Sequence, residues 1–181
     1  ARVHQIVRHR QDHIGEAQEH HVVDLSIGGV RLTGKVTCRG SITLACQYGQ
    51  VSAKHLAESW LDALALGCHQ GRPIGAVVIG GKKRHMLAGV APKTAEALLT
   101  DLVELSAQGL QSVLPMPPRV AHTWVMARLS GRDPLSGWEL GRSWQYDSDE
   151  TWRKFYPTDR KPWDQKVAGE PWAQPGEPTA L

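Results

Sequence analysis

Apolar and polar positions alternate, then regroup, between Val22 and Leu66. Val22, Asp24 and Ser26 alternate with Val23, Leu25 and Ile27, so a strand with one apolar face is predicted. Gly28-Gly29 follows. Glycine takes positive φ without steric cost, and the pair predicts a hairpin turn. Leu32, Gly34 and Val36 then share one face of the return strand. After Arg39-Gly40, a third strand sets Ile42, Leu44, Cys46 and Tyr48 on one side and Thr43, Ala45 and Gln47 on the other. Ser52 next caps a helix with an apolar stripe of Leu56, Trp60, Leu61 and Leu64. Lys54, His55, Glu58 and Asp62 face outward, with Lys54 and Glu58 at pairing distance, and Gly67 is expected to end the helix.

The pattern continues with Gly75 to Gly80, an unbroken apolar run that predicts a strand covered on both faces. Pro92 suits a first helical position, and Ala95, Leu98, Leu99, Leu102 and Leu105 make a buried stripe that stops at Gly109. Leu114-Pro115-Met116-Pro117-Pro118 forces an extended crossing before a helix over Arg119 to Leu129. This proline run is apolar and lies between helices, which favours a rigid connector over an SH3-type ligand. Trp124 and Met126 read as core or interface. The division is a connector over 1–21, a core domain over 22–130 and a tryptophan- and proline-rich extension over 131–181.

Composition narrows the class. A chain of 181 residues with 41% hydrophobic and 22% charged residues can bury one core, which excludes a disordered tract. A net charge of +3 permits contact with nucleic acid but is far below that of a dedicated polyanion binder. Cys38, Cys46 and Cys68 lack C-x-x-C spacing, so free thiols in a reducing cytoplasm are favoured over disulfides or zinc. His4, His9, His13, His20 and His21 crowd the opening stretch without a cysteine pair or H-E-x-x-H, so no metal or cofactor is expected. No apolar run approaches a membrane span of about 20 residues. The chain begins with Ala1 and shows no signal peptide, as a fragment of a longer protein would.

Two strands followed by a helix are the frame of a metal-dependent nuclease. Such a site needs one carboxylate near the end of a strand, then a second carboxylate and a lysine two residues apart on the next. The carboxylates hold hard cations, and the lysine positions water and stabilises charge on phosphate. Here Thr37 stands where the first acid would follow Gly34-Lys35-Val36, and Ala45 and Gln47 replace the acid and the lysine. The frame is present and its chemistry is not.

Four segments, DLSIGGVRLTGKV, the strand ending in Tyr48, KHLAESWLDALAL and GLQSVLPMPP, carry a family resemblance. In this order the chain resembles the C-terminal nuclease-like domain family of RecC, the gamma subunit of exodeoxyribonuclease V. The last segment is similar to that family's glycine-led PLPLP turn, from which Val113 and Met116 depart. The resemblance implies a restriction-endonuclease-like, PD-(D/E)xK-type α/β (α+β) core, a mixed sheet with flanking helices and no catalytic residues. It also implies a scaffold within a RecBCD helicase-nuclease, beside RecB-like and RecD-like subunits and DNA.

Gly81-Lys82-Lys83-Arg84-His85 is the densest positive run, suited to grip phosphates without reading bases, or else a hairpin turn kept soluble by charge. Beyond Ser130 lie Trp138, Trp144, Trp152, Trp163 and Trp172, five of the seven tryptophans. With few aliphatic partners they are not expected to build a second core. Trp152, Arg153, Phe155, Tyr156 and Trp163 therefore read as a partner interface, with stacking on single-stranded DNA the alternative. Two other functions stand beside the scaffold reading. One is a standalone nucleic-acid-binding module. The other is an active nuclease with acids moved to Glu16, Glu19 or Asp24, although no coordinated set of two acids and a lysine accompanies them.

Overall fold

The computed structural model describes residues 17–112, 114, 117–136 and 138–147. They fall into two compact units, one ending at Leu110 and the other starting at Gln111. The first unit is built on a hairpin of β1 (Gln18–Ile27) and β2 (Val30–Arg39). Gly28 and Gly29 adopt φ of 54° and 79°, the conformation of a two-residue turn, and set Ile27 opposite Val30. Every other pair follows from that one, including Val23 with Gly34 and Glu19 with Cys38. β1 thus begins at Gln18, ahead of the expected connector boundary at 21. Its first four residues are polar, but β2 is long enough to pair their backbone groups, and that pairing does not depend on side-chain character.

β3 (Ile42–Cys46) runs antiparallel to β2 and parallel to β4 (Gly75–Ile79), and β5 (Arg84–Leu87) closes a five-stranded sheet in the order β1-β2-β3-β4-β5. The parallel step is bridged by helix α1 (Ala53–Gln70), and α2 (Pro92–Gln111) follows β5. The result is the expected mixed sheet with flanking helices. β5 is a strand that apolar patterning missed, because Arg84-His85-Met86-Leu87 is too short for its alternation to register. With β3 and β5 on its two edges, β4 leaves no residue from Ala76 to Ile79 more than 1% exposed.

Cys38 pairs with Thr43, Thr43 with Ala76, and Ala76 with Leu87, so this row defines one face of the sheet. On that face Val23, Val36, Cys38 and Ala76 pack with Ala63 and Leu66 of α1 and with Ile74. The buried positions of α1 include Ser59, Ala63 and Gly67, four residues apart, and small side chains there let the helix axis approach the sheet. The expected stripe is therefore rotated, and Leu61 is left 38% exposed. Nor does Gly67 end the helix. The terminator is Gly71, with φ of 65°, while a Cβ on Gly67 would lie 3.2 Å from the carbonyl oxygen of Arg72. Ala95 and Leu99 of α2 complete a second cluster with Ile27 and Leu64. α2 runs past the expected stop at Gly109, and Leu105 stays largely exposed.

The second unit pairs α3 (Pro118–Leu129) with α4 (Trp138–Asp147) across a short 3-10 turn at Pro134–Ser136. Val120, Leu140 and Trp144 are buried together with Trp124 against them. Against expectation Trp144 thus joins a small core, while Trp138 is left exposed. Leu140 and Trp144 lie four residues apart, on one face of a helix, and so meet α3 together. Pro118–Leu129 is grouped with 22–130 by sequence and packs here with α4. The proposed interface at Trp152, Arg153, Phe155, Tyr156 and Trp163 lies outside the described residues.

Glycine positions give a test of this packing. A Cβ on Gly89 would sit 2.8 Å from the Ile74 backbone, whereas one on Gly34 meets nothing within 4 Å. Gly89→Ala should lower the denaturation midpoint by an amount equivalent to about 1–3 kcal/mol. Gly34→Ala should be neutral or stabilising by up to about 1 kcal/mol.

Candidate functional site

The sheet register decides which of the predicted positions meet. Thr37 alternates with Cys38 and so points away from α1, where its hydroxyl lies 3.0 Å from Nδ1 of His20. Ala45, two residues beyond Thr43, points towards the α1 side. Gln47 lies just past β3 and donates its backbone N–H to the carbonyl of Ile79 at 2.7 Å. The three positions are therefore not gathered on one face. On the α1 side the row beside Ala45 is Val36, Cys38 and Thr43, all buried, and the Thr43 hydroxyl donates to the carbonyl of Gly75 at 3.4 Å. Glu19 is the one carboxylate among the described residues on that face of β1, β2 and β3.

Asp24 is five residues from Glu19 on the same strand and faces the opposite way. It accepts two hydrogen bonds from Arg31, from Nε at 2.9 Å and from Nη2 at 2.6 Å. That guanidinium holds the Asp24 carboxyl below its ordinary range. Glu16, the third acid considered, lies outside the described residues.

The cationic run is split by a hairpin turn. The Gly80 N–H donates to the Lys83 carbonyl at 2.8 Å, so exposed Lys82 and Lys83 occupy the turn. Arg84 and His85 belong to β5, opposite Ile79 and Val78, and therefore stand on opposite faces. Sequence reasoning missed a second set. Arg31, Lys35 and Arg39 share the outward face of β2 with Thr33 and Thr37, a row legible as period two in VRLTGKVTCR. Arg39 Nη2 donates to Gln18 Oε1 at 3.1 Å.

At the other end of the hairpin, Glu19, His21 and Cys38 bring a carboxylate oxygen, a ring nitrogen and a thiol sulfur within 4.8 Å of one another. Nε2 of His21 is 3.1 Å from Oε2 of Glu19, and Cys38 is only 1% exposed. These are residues able to hold a metal, where the sequence predicts none. The missed signal is the turn, since a two-residue loop at Gly28-Gly29 already fixes Glu19 opposite Cys38.

A family model described as the RecC C-terminal domain matches residues 1–129. The chain belongs to the RecC C-terminal domain family. The match takes in the described sheet, both of its helices and α3. The chain is also similar to the RecBCD enzyme subunit RecC of Mycolicibacterium smegmatis, at 35% identity over 119 residues, or 62% of this chain. It spans 11% of that protein's length. Among the described residues, no helix of this family member is long and apolar enough to cross a membrane.

The Asp24–Arg31 pair carries a pH prediction. A carboxyl with a depressed folded pKa contributes stability above its unfolded pKa and loses it as pH falls through the folded value. The Asp24 side-chain carbon should titrate by NMR below the usual carboxylate range, and Arg31→Ala should bring it back up.

Proposed function

We propose that this chain is the non-catalytic C-terminal domain of a RecC-like subunit. In this reading it holds partner subunits and guides DNA within a RecBCD-type helicase-nuclease during double-strand break repair and recombination. The observation that carries the reading is the composition of the α1-side row on β2 and β3: Val36, Cys38, Thr43 and Ala45. A nuclease of this frame needs oxygen ligands and a lysine on those strands, hydrated and open to phosphate. Val36, Cys38 and Thr43 are buried and half-buried Ala45 brings no ligand, so the row offers no place for a hydrated magnesium ion. The relocated-acid alternative is disfavoured because Glu19 and Asp24 face opposite ways.

An antiparallel meander, a crossover helix and a parallel fourth strand also agree with a restriction-endonuclease-like core, in which Thr37, Ala45 and Gln47 bring neither the acids nor the lysine that catalysis needs and are not gathered on one face. DNA contact is assigned to backbone phosphates, through Lys82 and Lys83 at the β4–β5 turn with Arg84 and His85 beside them. Trp152, Arg153, Phe155, Tyr156 and Trp163 are assigned to contact with RecB-like or RecD-like subunits, since tryptophan, tyrosine and arginine dominate interface energetics.

Two experiments test these assignments. With magnesium or manganese, the purified chain should leave linear single-stranded and duplex DNA intact. Metal-dependent cleavage that co-purifies with it would overturn the non-catalytic reading. Replacing Lys82, Lys83 and Arg84 by glutamine should weaken DNA binding equally for unrelated sequences and flatten its salt dependence by up to about three units of slope. Unchanged affinity and slope would leave the run as a solubility feature.

A further inference from the structure

We propose that Glu19, His21 and Cys38 form a binding site for a zinc-class divalent ion that ties β1 to β2 at the open end of the hairpin. Glu19 and His21 are two residues apart on one face of β1, and Cys38 is the direct cross-strand partner of Glu19. This is the shortest route by which two strands can present three donors to one point.

The donor chemistry selects the ion. A thiolate and an imidazole suit a borderline or soft cation, whereas magnesium and calcium require oxygen ligands. Tetrahedral zinc places neighbouring ligand atoms about 3.4–3.6 Å apart. The 3.1 Å separation of the His21 nitrogen and the Glu19 oxygen is already close to that, and the sulfur lies within 4.8 Å of both. Glu19 and Cys38 as anions with neutral His21 balance a doubly charged ion, and binding releases the thiol proton.

A second observation points to the same place. Nε2 of His21 lies 3.1 Å from the carboxylate of Glu19 and 3.2 Å from the side-chain nitrogen of Gln70. The amide orientation of Gln70 is set by Arg72, whose Nε donates to Gln70 Oε1 at 2.8 Å. The ring nitrogen therefore faces an acceptor and a donor at once, and one protonation state cannot serve both. A cation between the three donors removes the conflict. The nitrogen lone pair turns to the metal, and the Gln70 amide donates to the Glu19 carboxylate as an outer partner. Cys38 is buried while the Glu19 side chain is 52% exposed, so the fourth position opens on the solvent side, where water can fill it.

The test uses the 181-residue chain with zinc or cobalt(II) as the probe. One equivalent of cobalt should produce a thiolate-to-cobalt charge-transfer band that zinc displaces. Cys38→Ser should abolish the band, and His21→Gln should weaken binding by more than about tenfold, since even outer partners are worth that much. Cys46→Ser, and replacement of His4, His9 and His13 by glutamine, should leave both unchanged. Glu19→Gln preserves the strand and guards against variants that fail to fold. Zinc should raise the melting temperature of the parent and not of Glu19→Gln at equal far-ultraviolet dichroism. A complex without a thiolate band, a band that survives Cys38→Ser, loss of binding with the three N-terminal histidines, or equal zinc stabilisation of parent and Glu19→Gln would each overturn the site.

Discussion

The register of the β1–β2 hairpin is the constraint from which the rest of the first unit follows. Two glycines in positive φ leave Ile27 opposite Val30, and a period of two then assigns every side chain of both strands to a face. A slip of one residue would send Val36 and Cys38 outward and draw Thr37 and Lys35 beneath α1. Burying a lysine there without a partner would cost far more than a turn can supply. The apolar set on β2 and the turn geometry thus enforce one another.

Once Val36 and Cys38 face α1, the helix can close on the sheet only where its own side chains are small. Ser59, Ala63 and Gly67 meet that condition, with Leu66 reaching into the cluster beside Ile74 and Ala76. The chain reversal after Gly71 uses the same absence of a side chain, because Arg72 passes close to Gly67. What forms over β2 and β3 is a core, where a nuclease of this frame would keep an open, hydrated pocket. In the proposed reading, the supporting role and the missing nuclease chemistry share this one cause, since a face packed to exclude water does not also solvate a hard cation.

Much of this was legible in the sequence where local chemistry decides the outcome. The hairpin turn, β4, the Lys54–Glu58 pair now seen at 3.8 Å and the proline start of α2 all follow from period, glycine and proline. The departures have a tertiary cause. α1 passes through Gly67 because a neighbouring chain segment needs the space, and Leu61 turns outward because Ser59, Ala63 and Gly67, with Leu64 and Leu66 beside them, make the buried face. β5 is too short to announce itself, and α4 becomes a core element only through Val120 and Trp124 on another helix. Thr37, Ala45 and Gln47 were grouped by sequence spacing, but spacing does not say which face of neighbouring strands a side chain takes. The same register, read forward from Gly28-Gly29, brings Glu19, His21 and Cys38 together.

The most direct test of the account is the register itself, read from cross-strand backbone contacts in a nuclear Overhauser spectrum of the labelled chain. The account predicts contacts that set Glu19 opposite Cys38 and Cys38 opposite Thr43, with Val23 opposite Gly34. A pattern shifted by one residue, with Glu19 opposite Thr37, would place Thr37 beneath α1 and contradict it.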